Sequence, residues 1–443
     1  MSAGTVPTLR RSLTYRDLVV YGLAYIAPLA LLSTLGFVWS ASHGLIALAY
    51  VLGAICMYFT AKSYAVMTET LPTAGSVYGF ARHALGRFPG FIAGWMILLD
   101  YLLIPALVYV LIAVALGTLL PGVDRAVWIV GMVLFTSVVN WFGVTVTTRA
   151  NVIAVIAQVL MLFGFMGFAV WALWHGFGSG GLGFSPFYHA SGFAWPAVFA
   201  ATSICINSFL GFDAISTLSE EVAGDDRRVV GRAIISVLII SGGFFVLASW
   251  VLGNLLVGLT LRDEAAAAYE LAGAAIGSWA GIALAWGYAL VIGLSNALPM
   301  QVGVARVLYA MGRDRQLPAV LARVHPRYHT PYVGMLVTAA LSLAVALAMR
   351  DMLDELATIV NFGALSGFLL LHVSVIWQFG VRGRSRRWFA HWVAPSLGII
   401  VVMAVFSGMS RLATVVGLGW LIVGMGYGGF LHLKQRDTLA VEL

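Results

Sequence analysis

The chain has 443 residues, of which 61% are hydrophobic and only 10% charged, with a formal net charge of +7. A soluble domain carries roughly a quarter charged residues, so a soluble enzyme or binding module is excluded and an integral membrane protein is left. The apolar sequence comes in long runs, which predicts helices and not the alternating ten-residue strands of a barrel.

Residues 1–16 are polar and read as a cytoplasmic tail without a cleavable signal. Apolar segments follow at 17–40, 43–67, 89–118, 126–144, 150–175, 194–222, 229–257, 276–305, 332–349, 355–378, 391–409 and 412–432, predicting twelve membrane helices. With the N-terminus inside, all 25 Lys and Arg residues except Arg125, Arg262, Arg350 and Arg411 fall on cytoplasmic stretches. Both termini are therefore expected in the cytoplasm, the last ten residues (434–443) included. The basic excess is topological, and a nucleic-acid partner is not called for. Cys56 and Cys205 lie inside apolar segments and read as small buried hydrophobes.

The first segment contains Gly22-Leu-Ala-Tyr-Ile-Ala-Pro28. Pro28 lacks an N–H and clashes with the preceding turn, so unwound backbone is expected around Ala24–Ala27. In the third segment Asp100 stands near the midpoint, with Met96, Ile97, Leu103 and Ile104 as its helical neighbours. Such surroundings point an acid into the protein, toward a hydroxyl partner, a substrate or a proton. Asn140 and Gln158 read as interhelical hydrogen-bond glue. The match Gly178-Ser-Gly-Gly-Leu-Gly183 follows no strand and opens no βαβ unit, so it carries no nucleotide.

The sixth segment holds Asn207-Ser-Phe-Leu-Gly-Phe-Asp-Ala-Ile-Ser-Thr-Leu-Ser-Glu-Glu221. Gly211 weakens the helix at mid-depth, and Asp213 follows two residues later. An acid there costs several kcal/mol unless it faces a partner, a cavity or a ligand. The bland reading is a tolerated Gly beside a paired Asp; the sharper one is a broken helix that exposes backbone dipoles to a substrate. Two interrupted segments, five apart, divide the chain into halves at 17–175 and 194–378, with 388–433 left peripheral. An odd number of helices per half implies inverted repeats with a site at their interface. Glu220 and Glu221, close to Arg227 and Arg228, are candidates for an ion-paired inner gate or a solvated cap. Ser295, Asn296 and His372 are further coupling or gating candidates, His372 being more ordinarily a satisfied contact between helices.

Four motifs carry a family resemblance: the first-segment break, Pro72-x-x-Gly75-x-x-Tyr78, the stretch from Gly211 to Glu221, and Tyr309-Ala-Met-Gly-Arg-Asp314. Over nearly its whole length the chain resembles the amino acid–polyamine–organocation (APC) superfamily of secondary transporters. Trp95-Met-Ile-Leu-Leu-Asp-Tyr-Leu-Leu-Ile-Pro105 is similar to its putrescine-importer branch. The resemblance implies an all-helical five-plus-five inverted-repeat fold with helices one and six broken, two peripheral helices, and proton-driven alternating access. It also implies a bacterial inner-membrane location and no cofactor or metal. One departure is informative. Members that carry amino acids have a Gly-rich first break whose N–H groups cradle a carboxylate, whereas Ala24-Tyr-Ile-Ala-Pro28 supplies such a nest poorly. Freed carbonyls and Tyr25 suit an ammonium instead.

The expected substrate site is therefore Ala24, Tyr25, Ala27, Asp100, Tyr101, Gly211, Phe212 and Asp213, holding a small cationic amine such as putrescine with protons, or less readily Na+, as coupling ion. The alternative is a proton-coupled amino-acid permease. A membrane enzyme is disfavoured because neither HExxH nor GxSxG occurs. A channel or sensor is disfavoured by the two interrupted helices and the absence of a signalling domain.

Overall fold

The computed structural model describes residues 13–71, 76–142, 148–190, 193–224, 226–313, 316–328 and 330–441; for Glu220 and Ser295 it describes the backbone only. The connector Pro72–Gly75 and Asp314, both singled out by sequence, lie outside these residues. In chain order the α-helices are α1 (Tyr15–Ile26), α2 (Ala30–Ala41), α3 (Ile46–Thr70), α4 (Ser76–Leu85), α5 (Arg87–Leu119), α6 (Arg125–Trp141), α7 (Thr148–Trp174) and α8 (Trp195–Cys205). They continue with α9 (Val229–Leu256), α10 (Ala267–Ala275), α11 (Ser278–Ile292), α12 (Leu298–Arg313), α13 (Tyr332–Ala348), α14 (Leu353–Val375), α15 (Ala394–Ser407) and α16 (Arg411–Val441).

Among the described residues, seven helices are long and apolar enough to cross a membrane, and nine spans result if each of two bent pairs counts as one. The remaining apolar segments form shorter helices: α6, α11 and α13. α11 is short because a π-turn at Gly293–Ala297 separates it from α12, so the predicted run 276–305 is one segment with a defect in it.

The two bent pairs fall in the two segments whose sequence is interrupted. α1 and α2 meet at 47°, and the segment Trp195–Phe209 meets Phe212–Ser219 at 42°. Buried α5, with Asp100 at its middle, packs against α14 so closely that a β-carbon on Gly363 would stand 2.8 Å from the Asp100 backbone nitrogen. At one end of the bundle, Leu13 pairs with the far end of the second bent segment: its N–H donates to the Glu221 carbonyl at 3.0 Å, and Ala223 N–H donates back at 2.9 Å. Ser216 reaches Ser76 on α4 at 3.1 Å. Elsewhere Arg125 pairs with Asp263 and Asp351, and Arg350 with Asp124 at 2.9 Å, tying the start of α6 to the segment before α10 and to the α13–α14 turn.

Candidate functional site

The first break lies at Ala27–Leu29, not at Ala24–Ala27. Proline disfavours the α conformation in the residue before it, so α1 stays helical through Ile26 and the chain turns at Ala27, with φ 56° and ψ 96°. A non-glycine residue there is strained and persists only where its surroundings hold it. Ala24 and Tyr25 are thus helical residues bordering the break. In an unbroken helix the N–H groups of residues 28, 29 and 30 would close on the carbonyls of Ala24, Tyr25 and Ile26. Pro28 has no N–H. That of Leu29 faces Gln158 Oε1 at 3.5 Å, and that of Ala30 donates to the Ala27 carbonyl at 2.8 Å. Three carbonyls lose their regular donors. This break is rich in acceptors.

The second break forms differently. α8 tightens into a 3-10 turn at Ile206–Phe209, Leu210 is extended, and Gly211 takes φ 113°. A ten-residue 3-10 helix, Phe212–Glu221, then starts in a new direction. Runs of that length are uncommon and mark strain or a hinge. Asp213 lies in its first turn, with its carboxylate against the backbone amides of Gly211, Asp213 and Ala214.

Around these breaks the structure gathers most of the predicted site. Tyr25, Asp100, Tyr101 and Asp213 lie within electrostatic reach of one another, with Tyr64 of α3 as a further neighbour. Asp100 is 7% exposed and Asp213 9%. Asp100 Oδ1 is buried and has no hydrogen-bond partner among the described residues. Among the described residues neither acid is ion-paired. A buried carboxylate oxygen left bare carries the full desolvation cost unless a donor or a proton reaches it.

A cavity of about 50 Å³ is bordered by both breaks: Tyr25, Ile26 and Ala27 from the first, Asn207 and Leu210 from the second. A second cavity, of about 100 Å³, lies between α1, α7 and the start of α12. Tyr25 and buried Asn296 border both, so the π-turn that carries Asn296 delivers an amide to the centre.

Other predicted residues are placed differently. Phe212 is fully buried, its ring held at 5.8 Å by both Tyr64 and Phe368, so it packs behind the site and not along a described cavity. His372 is also fully buried, with Nδ1 2.8 Å from Ser63 Oγ and Nε2 3.3 Å from Thr60 Oγ1. Both ring nitrogens are thereby engaged between α14 and α3. Of the proposed gate residues, Arg228 pairs with Glu69 at 3.0 Å, because α9 runs back along α3, and among the described side chains no ion pair involves Glu221. The side chains of Glu220 and Ser295 lie outside the described set.

Sequence reasoning read Gln158 as interhelical glue, and the residue does join α7 to the N-cap of α2, but the reading missed that this contact falls at the first break. It also missed Asn361 of α14, whose Nδ2 donates to the Ser203 carbonyl at 2.6 Å, just ahead of the second break. The only signal for either was a polar residue in an apolar run.

An all-helical bundle with two apolar segments broken around one buried pair of acids is the architecture of a membrane transporter. The chain belongs to the amino acid permease family, whose family model matches residues 18–427. It is 32% identical over 430 residues to the low-affinity putrescine importer PlaP of Escherichia coli K12, covering 95% of this chain and 93% of that one. It is 28% identical to the branched-chain amino acid permease BcaP of Bacillus subtilis, covering 98% and 95% of the two chains. Identity to the methylthioribose transporter of the same organism is 25%, again over 98% and 95%.

Proposed function

We propose that this chain imports a small organic diamine of the putrescine type by proton-coupled alternating access. One observation carries the reading: among the described residues Asp100 Oδ1 is buried without a donor, beside Asp213 and a helix break whose carbonyls have lost their regular donors. An ammonium group satisfies all of these, and a carboxylate satisfies none. Likeness to a putrescine importer over nearly the full chain supports the same substrate class. In this reading 17–175 and 194–378 are inverted repeats of five helices each, 388–433 is peripheral, and both termini face the cytoplasm of a bacterial inner membrane. For import on a proton gradient the proton has to ride inward with the amine, so it occupies a group other than the carboxylate that holds the ammonium, and both are released on the inner side.

The second reading is an amino-acid permease, favoured by the likeness to BcaP. Uptake into proteoliposomes decides between them, with putrescine, butylamine, ornithine and leucine competing for the label, with and without an imposed pH gradient. Diamines competing best, and uptake driven by the gradient, support the proposal. Competition that requires a carboxylate replaces it with the second reading.

A further inference from the structure

Gln158 of α7 is fully buried opposite the first break. Its Oε1 faces Leu29 N–H at 3.5 Å, which fixes the amide's orientation, since the flipped amide would set two donors against each other. Among the described residues Nε2 is left buried and without a hydrogen-bond partner. Gln158 borders the cavity of about 100 Å³ together with Tyr21, Ala24, Tyr25, Asn296 and Met300. That volume exceeds the roughly 10–15 Å³ that one water occupies by the same kind of measure. An empty cavity would leave the buried amide donor unpaired within a largely apolar lining, at a desolvation cost.

We infer that this cavity is a subsite for an oxygen acceptor, held by Gln158 Nε2. The subsite shares Tyr25, Asn296 and Met300 with the cavity that both breaks border, and Gln158 adds an amide donor beside a break whose carbonyls have lost their regular donors. Ala24, whose carbonyl has lost its helical donor, borders the same space. A water molecule fits both ends, accepting from Gln158 and donating to a freed carbonyl, and so closes the first break. A carboxylate or hydroxyl oxygen of a carried molecule supplies the same acceptor to Gln158.

The test is a set of cryo-electron microscopy maps of the full chain in nanodiscs, at a resolution that shows ordered water. Wild type is compared with Gln158→Met, which keeps the length and removes both polar atoms, without ligand and with putrescine or ornithine. Density within hydrogen-bond distance of Nε2 in the ligand-free wild type, absent in Gln158→Met, supports a resident water. Density that appears only with ornithine, a diamine bearing a carboxylate, supports a substrate oxygen. An empty cavity in every wild-type map overturns the inference, as does density that persists unchanged in Gln158→Met.

Gln158→Leu removes both polar atoms with a shorter, branched side chain, so it serves where the methionine variant does not fold. If the oxygen is the substrate's, this variant lowers the affinity for ornithine about tenfold while that for putrescine holds. If the oxygen is water's, the ligand-free density is lost. Unchanged affinities together with unchanged density count against the subsite. The ligand arms rest on the transport reading. If neither amine binds the wild type, that reading fails, and the ligand-free maps still decide the subsite.

Discussion

Gly211 lies directly against Tyr25: a β-carbon at position 211 would stand 2.6 Å from Tyr25 Cδ1 and 3.2 Å from its carbonyl carbon and oxygen. The two broken segments therefore touch at their breaks, and they do so because one of them has no side chain there. Gly211 also holds φ 113°, which L side chains rarely adopt. Gly211→Ala is expected to cost about 1–3 kcal/mol from the backbone alone, with the contact to Tyr25 adding to it. Thermal unfolding of purified protein should show a lower midpoint, and uptake should be lost. Wild-type uptake in Gly211→Ala would mean that the two segments need not meet.

Tyr25 and Phe212 are both aromatic residues beside breaks, but their settings differ. Tyr25 is half-buried and borders both central cavities, while Phe212 is sealed between Tyr64 and Phe368. Tyr25→Ala is expected to weaken amine binding roughly tenfold, a shift of about 1.4 kcal/mol, through loss of a ring face for ammonium. Phe212→Ala should instead cost about 3–5 kcal/mol of stability, as a core truncation. Thermal midpoints and competition binding on both variants separate the cases. Tenfold weaker binding in Phe212→Ala with an unchanged midpoint would return that ring to the substrate site.

His372 bridges α14 to α3 through Ser63 and Thr60, and this bridge is what a fully buried imidazole needs. His372→Leu is expected to leave those hydroxyls short of a partner and to cost about 1–3 kcal/mol of stability. The pH dependence of uptake should not move. A displaced pH profile in a variant that still folds would assign the histidine a part in proton coupling.

The sequence exposed those parts of the site whose cost is local. Pro28 and Gly211 disrupt a helix wherever it packs, so two breaks were legible, although the strain of Ala27 moved the first by a few residues. Asp100 and Asp213 were legible because an acid in an apolar run has few uses. The rest depends on packing between distant segments. Nothing near Phe212 in sequence shows that Tyr64 and Phe368 enclose it, nor does the run around Arg228 reveal that Glu69 waits beside it. Gln158 and Asn140 look alike in sequence. Only the fold separates an amide bonded to Gln301 on a neighbouring helix from one that faces a broken backbone.

The two acids are held in different ways, and the last prediction rests on that difference. Asp213 lies in the first turn of a 3-10 helix, its carboxylate against backbone amides. Asp100 projects from intact α5, wedged against α14 at Gly363, with one oxygen bare. In the proposed diamine reading, Asp213 holds an ammonium at the breaks and Asp100 draws the far end of an elongated substrate. Asp100→Asn should then penalise diamines far more than monoamines of equal length, because only the diamine loses a charge partner. Removing one member of a buried charge pair costs roughly 3–5 kcal/mol, so the diamine's advantage should disappear. Asp213→Asn should depress binding of both classes. The measurement is displacement of labelled substrate by putrescine and by butylamine, in membranes at fixed pH, for each variant. If Asp100→Asn weakens both competitors equally, the second ammonium is not bound at Asp100, and that acid is left with a structural or proton-carrying part.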